Sequence, residues 1–140
     1  MKKIISILVF SLSFTLFSQD QFPNTTLKTL TDSTTTLTEI AEADDLIVVS
    51  LWATRCVPCK NELDAVADVY DDWGTETGVT YYAVSIDDSR TAKRVKPMIN
   101  GKGWGFEILL DENSDLKRAL GVSTVPYTII FKSGGNVYTH

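Results

Sequence analysis

The chain has 140 residues, of which 44% are apolar and 22% are charged, and these proportions are those of an ordinary globular domain. They exclude collagen-like, disordered and disulfide-rich classes of protein, and the length favours one domain over several. The formal net charge of −5 argues against nucleic acid as a partner, because neutralising phosphates takes a basic surface.

Residues 1–18 have the pattern of a secretory signal peptide. Lys2 and Lys3 precede an apolar run from Ile4 to Phe17 that is too short to span a bilayer, and cleavage is expected after Ser18. The alternative is an uncleaved segment that anchors the protein in the membrane. We therefore expect export across the inner membrane to the periplasm, with the folded domain over residues 19–140.

The first predicted elements are a hairpin, a buried strand and a helix. The Thr-rich stretch from Phe22 to Leu37, with turn-forming Asp32-Ser33 in its middle, predicts an N-terminal β-hairpin. Leu46–Trp52 is almost wholly apolar and rich in β-branched residues, which is typical of a central strand covered on both faces. Apolar residues at helical spacing then predict an amphipathic helix that ends at Gly74.

The second half of the chain continues this alternation of strands and helices. The predicted elements are a strand over Val79–Ile86, a helix capped by Asp88 or Ser89 and reaching about Ile99, a strand over Phe106–Leu110, a helix from a cap near Asn113 to Leu120, and a hairpin of Tyr127–Phe131 and Asn136–Thr139 joined by Ser133-Gly134-Gly135. Such alternation predicts an α/β domain. The chain stops at His140 with no helix after the hairpin, so we expect it to be truncated at the C-terminus.

Two cysteines carry the most specific chemical signal, and they form Cys56-Val57-Pro58-Cys59 between the buried strand and the helix. Such a pair is half of a zinc site, a structural disulfide or a redox-active dithiol. Zinc needs four ligands, and His140 is the single histidine of the chain. A disulfide that closes so short a loop adds little stability. A redox-active dithiol that needs no metal or cofactor is therefore favoured.

The start of a helix gives the two thiols different chemistry. Unsatisfied N–H groups and the positive pole of the helix stabilise an anion there, so the Cys56 thiol should ionise more readily than a free thiol. Arg55 beside it and Lys60 one turn on add positive charge that acts in the same direction. Cys56 is then the attacking thiolate, and Cys59 is the resolving thiol.

The segment Trp52–Leu63, which reads WATRCVPCKNEL, resembles the active-site segment of the thioredoxin superfamily, and within it the secreted TlpA/ResA-type thiol-disulfide oxidoreductases. The resemblance runs from about Phe22 to the end of the chain and includes Pro23 and the Val125-Pro126-Tyr127 segment. It implies a thioredoxin-like fold, in which helices flank a mixed central sheet, and disulfide exchange with protein thiols and disulfides. Members of this family continue past the terminal hairpin into a further helix.

Several residues acquire expected roles through this resemblance. The proline that matches Pro126 is cis and lies against the dithiol, and Val125 before it would present its backbone to an extended substrate. An acid typical of the ResA type matches Glu62, whereas the strand carboxylate of thioredoxin falls at Ser50. We expect Glu62 to be partly buried near Cys59 and to tune the dithiol; the alternative is a helix-favouring surface residue.

Two departures from the family pattern prevent its redox potential from being carried over. Arg55 stands where an aromatic residue is usual, and Val57 is the first residue between the cysteines. The direction of electron transfer rests on the resemblance alone, which favours a disulfide reductase supplied by a membrane-bound electron donor.

Three other functions compete with reduction of protein disulfides. One is a disulfide oxidase, and another is a non-catalytic thioredoxin-like binding module whose disulfide remains locked. A peroxidase is disfavoured, because the Pro-x-x-x-Thr-x-x-Cys arrangement that activates a peroxidatic cysteine needs Thr at position 53, where the chain has Ala53.

The remaining conspicuous residues have structural interpretations. Trp52 and Trp73 are expected to be packing residues, with Trp52 also at the rim of the site. Asp87 and Asp88 belong to acids spread over a solvated surface, and a solvated helix face is expected for Lys93, Arg94 and Lys96.

Overall fold

A computed structural model describes residues 23–132 and 136–139. The strands are β1 (Thr26–Thr29), β2 (Thr34–Thr36), β3 (Leu46–Trp52), β4 (Thr80–Ser85), β5 (Glu107–Leu110), β6 (Tyr127–Lys132) and β7 (Asn136–Thr139). The helices are α1 (Leu37–Ala43), α2 (Val57–Thr77), α3 (Val95–Lys102) and α4 (Asp115–Ala119), with a 3₁₀ turn over Ala92–Arg94 before α3. The predicted signal peptide, the turn at 133–135 and His140 lie outside the described residues.

The strands form one mixed sheet in the order β2-β1-β5-β4-β3-β6-β7. β3 pairs in parallel with β4 and antiparallel with β6, and β4 pairs in parallel with β5. The prediction that Leu46–Trp52 is a central strand is confirmed.

Side chains of β3 alternate between two cores, one on each face of the sheet. Ile47, Val49 and Leu51 contribute to a core with α1 and α4, whereas Val48 and Trp52 contribute to a core with α2 and α3. Both faces of β3 are therefore covered, and this explains why its sequence is continuously apolar instead of alternating.

The predicted N-terminal hairpin is confirmed in β1 and β2, but its second strand ends one residue before Leu37. Leu37 begins α1, a short helix that the sequence analysis missed. Thr36 and Glu39 form a capping box, in which the Thr36 hydroxyl accepts from the Glu39 N–H at 3.2 Å and the Glu39 carboxylate accepts from the Thr36 N–H at 2.7 Å. The T-x-x-E pattern of Thr36 and Glu39 is the sequence signal from which the start of this helix could have been predicted.

Helix α2 does not end at Gly74, and that prediction is wrong. The helix continues to Thr77 and ends at Gly78, whose φ of 70° is left-handed. A glycine inside a helix lowers the stability of the helix only slightly, so packing can keep the helix intact. A residue with a left-handed backbone, in contrast, terminates the helical hydrogen bonds. A glycine does end the helix, as predicted, but it is Gly78 and not Gly74.

Of the caps predicted for the two later helices, Asp88 is confirmed as a capping side chain, and the second differs in part. Asp88 caps the turn that precedes the 3₁₀ residues, where its carboxylate accepts from the Thr91 N–H at 3.1 Å, and the helix ends at Lys102 instead of Ile99. The N-cap residue of α4 is Ser114, next to the predicted Asn113, but the side chain that accepts from the Leu116 and Lys117 N–H groups is that of Asp111. Asp111 lies four residues before the first helical residue, so spacing alone did not locate it. The cations that were predicted to lie on a solvated helix face, Lys93, Arg94 and Lys96, are all exposed.

Asp87 is not on the solvated surface, which corrects the sequence interpretation. Its side chain is buried at the end of β4, where it accepts hydrogen bonds from the Thr54 N–H at 2.7 Å, the Thr54 hydroxyl at 2.6 Å and the Ser85 hydroxyl at 2.7 Å. Burial opposes ionisation, yet these hydrogen bonds hold the pKa of Asp87 below its ordinary value. Asp87 thereby fixes the turn that leads from β3 into the cysteine pair.

Among the helices of residues 23–132, none is both long and apolar enough to cross a membrane.

The helix boundary gives a first testable prediction. Gly74→Ala should raise the free energy of unfolding by roughly 0.5–1 kcal/mol, because the added methyl group meets no atom within 4 Å and alanine favours the helix. Gly78→Ala is the matched control and should lower it by about 1 kcal/mol or more, since its backbone is left-handed. Urea unfolding measures both, and a destabilised Gly74→Ala variant would contradict the observed boundary.

Asp87 gives a second prediction. Asp87→Asn should lower the free energy of unfolding by about 2–3 kcal/mol at pH 7, the scale of hydrogen bonds to a buried charge. Because the folded-state pKa of Asp87 is lowered, its stabilisation is present above the unfolded-state value of about 3.9 and is lost as the pH falls through the folded value. The difference in the free energy of unfolding between the parent protein and Asp87→Asn should therefore narrow below a pH of about 4.

Urea titrations at several pH values test this, with Asp68→Asn as the control for an exposed carboxylate of α2. That variant should change the free energy of unfolding by less than about 0.5 kcal/mol. If the difference in the free energy of unfolding between the parent protein and Asp87→Asn stays constant down to strongly acidic pH, the ionised carboxylate of Asp87 does not stabilise the fold.

Candidate active site

Cys56 and Cys59 form a disulfide at the N-terminus of α2, with their Cα atoms 5.3 Å apart. Cys56 is the N-cap residue, and its Sγ accepts from the Cys59 N–H at 3.3 Å. Cys56 is half-buried, whereas Cys59 is 1% exposed within the core beneath α2. Cys56 is therefore the more accessible of the two cysteines.

The segment before β6 lies against this disulfide. The Val125–Pro126 peptide bond is cis, as the resemblance led us to expect. The carbonyl oxygen of Val125 lies 3.8 Å from the Cys56 Sγ. The structure thus brings together residues that are 69 positions apart in the chain.

Glu62 is half-buried and reaches the sheet from the second turn of α2. Its Oε1 accepts from the Thr128 hydroxyl at 2.9 Å and from the Ser50 hydroxyl at 3.3 Å, and these two hydroxyls lie 3.1 Å apart. The sequence analysis considered Glu62 and Ser50 separately and missed Thr128. The missing information was the register of β3 and β6, which places Ser50 opposite Thr128.

Tyr81 on β4 is a neighbour of this polar cluster that the sequence analysis also missed. Its hydroxyl is buried beside Ser50 and Thr128 without reaching hydrogen-bond geometry to any described residue. Burial, with a contribution from the negative charge of Glu62, raises the pKa of Tyr81 to about 12. Tyr81 is therefore a neutral phenol at physiological pH.

The other predicted site residues lie around the disulfide in two different environments. Trp52 is fully buried and contacts Trp104 edge to face, with ring centroids 5.4 Å apart, so it is a packing residue and does not form the rim. Arg55 is exposed and Lys60 is half-exposed. Neither cation belongs to a salt bridge in the part of the chain that the structure describes.

An apolar groove of about 490 Å³ extends from Pro126 and Glu62 along α2 and β6. Trp73, which was expected to pack in the core, is 40% exposed and lines this groove together with Ile130, which is 37% exposed. The prediction for Trp73 is wrong because the buried residues of α2, Cys59, Leu63 and Val66, lie in the first half of the helix, and Trp73 follows them. Over residues 23–132 and 136–139, no group of three or more His, Cys, Asp or Glu side chains is arranged to hold a metal ion.

Comparisons with known proteins identify relatives of the chain. The chain is 30% identical over 91 residues to the thiol-disulfide oxidoreductases ResA of Oceanobacillus iheyensis and of Bacillus subtilis. The matched residues are 65% of this chain and 46% and 49% of the two relatives. The chain therefore spans about half the length of the curated relatives it matches.

Solved structures show the same fold. A thioredoxin-like protein from Porphyromonas gingivalis has 42% sequence identity and a TM-score of 0.75, with 86% of this chain and 80% of that chain covered. StoA from Bacillus subtilis has 22% identity and a TM-score of 0.67, with 82% and 84% covered, and shares the fold. The predicted thioredoxin-like fold is confirmed. The model of the AhpC/TSA family matches residues 18–140, and the chain belongs to that family.

Proposed function

We propose that this protein catalyses thiol-disulfide exchange with protein substrates through Cys56 and Cys59. The observation that carries the proposal is the unequal exposure of the two sulfurs at a helix N-terminus, since Cys56 is half-buried and Cys59 is 1% exposed. A structural disulfide has no need for such a difference, whereas exchange needs one accessible attacker and one protected resolver.

The reduced protein would act in two steps. The Cys56 thiolate attacks one sulfur of a substrate disulfide, forms a mixed disulfide and releases the other substrate sulfur as a thiolate, which takes up a proton. Cys59 then loses its proton and attacks Cys56, which forms the Cys56–Cys59 disulfide and releases the second substrate thiol. Two electrons pass from the dithiol to the substrate, and the Cys59 N–H that contacts Sγ of Cys56 helps to stabilise the attacking thiolate.

Val125 is the residue that we propose for holding the substrate chain. Its carbonyl oxygen lies 3.8 Å from Sγ of Cys56, so an extended segment beside Val125 would bring its own cysteine to the attacking sulfur. Backbone pairing of this kind is independent of side chains and suits a protein with many substrates.

We propose reduction, not oxidation, as the physiological direction, with a membrane-bound electron donor and a periplasmic location. The names of the ResA relatives support an oxidoreductase. The pattern of residues 1–18 supports export. The reduction potential of the couple separates the directions, because a strongly negative value favours a reductase and a value near those of strong oxidants favours an oxidase.

A binding module with a locked disulfide is the competing function. The half-buried position of Cys56 argues against it, because a locked disulfide would gain from burial of both sulfurs. Peroxidase activity has less support, since Ala53 occupies the position where the peroxidatic arrangement has a threonine hydroxyl.

Substitution of either cysteine by serine gives a prediction that separates their roles. Cys56→Ser should abolish turnover, whereas Cys59→Ser should retain attack and accumulate a mixed disulfide with the substrate, because the resolving thiol is gone. Reduction of insulin measures turnover, and mass spectrometry detects the mixed disulfide. Equal alkylation rates of the two thiols in the reduced protein, or an unreactive Cys56 after mild reduction, would count against the proposal.

Glu62 gives a prediction about the acidity of the dithiol. We propose that its carboxylate, one helical turn after Cys59, raises the pKa of the Cys59 thiol and couples the two titrations. Glu62→Gln should then increase the thiolate fraction at neutral pH by about tenfold and shift the pH profile of exchange toward lower pH.

Thiolate absorbance or alkylation rates across pH measure this effect. Glu76→Gln is the matched control, because Glu76 is exposed on the last turn of the same helix. Thiol titration curves of Glu62→Gln that superimpose on those of the parent protein would show that Glu62 has no influence on the dithiol.

A further inference from the structure

We propose that Arg55 and Lys60 form a cationic rim that selects disulfide substrates with carboxylates close to the reacting cysteine. The inference rests on the exchange reaction proposed above and names the class of substrate that this reaction prefers.

The two cations flank the reactive sulfur. Arg55 directly precedes Cys56, and the Lys60 N–H donates to the Cys56 carbonyl at 3.2 Å. Residues four apart on a helix share one face, so the Lys60 side chain lies on the same side of α2 as Cys56. A substrate that reaches Sγ of Cys56 therefore approaches both charges.

Both positive charges remain available to a partner. Within residues 23–132, ion pairs engage Lys28, Arg90, Lys102 and Arg118, and none engages Arg55 or Lys60. Lys60 attracts Asp64 one turn further along α2, but Asp64 is already bound to Lys102 at 2.5 Å and to the Trp104 Nε1 at 2.9 Å. Asp64 therefore leaves the charge of Lys60 largely uncompensated.

Two of the carboxylates around the site are directed into the protein. Glu62 accepts hydrogen bonds from Ser50 and Thr128, and Asp87 is buried under the turn at Thr54. The unpaired charges that directly flank the disulfide in the described chain are thus positive, those of Arg55 and Lys60, although the chain as a whole carries a net charge of −5. In a protein that repels anions at long range, a local cationic rim orients an acidic partner instead of merely attracting it.

The surface between the two cations is apolar. Val57 is 59% exposed and Pro58 is exposed, so a substrate would place an apolar side chain there and its carboxylates on either side. Arginine suits this task, because its planar guanidinium binds a carboxylate through two parallel hydrogen bonds. The occupant is therefore an extended acidic segment that includes the substrate cysteine.

Small disulfides of different charge test the proposal without a known substrate. The reduced protein is mixed with DTNB, which has two carboxylates, with neutral hydroxyethyl disulfide, and with cystamine, which has two ammonium groups. The ratio of the rate constants for DTNB and cystamine reports charge preference, because a change in the nucleophilicity of Cys56 alters both rates in the same direction. The neutral disulfide reports that change separately.

Charge reversal should shift the preference toward cystamine. In Arg55→Glu combined with Lys60→Glu, the rate ratio should fall by at least about tenfold at low ionic strength, and the difference should shrink at about 0.5 M salt. The neutral pair Arg55→Gln and Lys60→Gln should give an intermediate ratio. Lys96→Glu on α3 is the matched control, since it reverses an exposed charge on another helix and should leave the ratio unchanged.

The outcomes distinguish this inference from the proposed function. If the parent protein reacts with all three disulfides but charge reversal leaves the ratio unchanged, the cationic rim does not select substrates, and exchange itself stands. If the same fall occurs in Lys96→Glu, the preference belongs to the net charge of the protein and the inference is wrong. If the parent protein reacts with none of the disulfides, the exchange function fails, and the inference fails with it.

Discussion

The geometry of the dithiol depends on one buried carboxylate at the end of β4. Asp87 holds Thr54 by both its backbone N–H and its hydroxyl, at 2.7 and 2.6 Å, and thereby fixes the turn between β3 and α2. With the turn fixed, α2 starts at one place relative to the sheet. The alignment of the helix pole with Cys56, the approach of Val125 and the reach of Glu62 toward the sheet all follow from that placement.

The position of the cysteine pair between a buried strand and a helix could be predicted from sequence, but most of the contacts around it could not. The apolar run before Cys56 and the helical spacing after it are local patterns, and the structure retains both. Asp87 was misinterpreted because nothing local distinguishes it from Asp88, the half-exposed acid that follows it. The cluster around Glu62 was missed because it requires the register of β6 on β3, which brings Thr128 opposite Ser50. The cis bond before Pro126 was expected from resemblance alone and had no local signal.

The hydroxyls of Ser50 and Thr128 on the sheet hold the carboxylate of Glu62 on α2. Ser50 and Thr128 lie on neighbouring strands in register, and both hydroxyls contact the same oxygen of Glu62. The position of this carboxylate is therefore set by contacts with the sheet as well as by the helix that carries it. Its second oxygen makes no hydrogen bond within the described residues, so the position of the carboxylate is fixed through the first oxygen.

The deep burial of Cys59 also bears on how the protein withstands oxidative damage. A peroxide that oxidises the accessible Cys56 forms a sulfenic acid, and the irreversible sulfinic and sulfonic acids lie only one and two oxidations further. Cys59 is enclosed in the core beneath α2 at 1% exposure, so an oxidant in solution does not reach it. It can therefore condense with the sulfenic acid, releasing water and restoring the ordinary disulfide. The sulfur that we propose as the resolver would thus also reverse the first step of oxidative damage at Cys56.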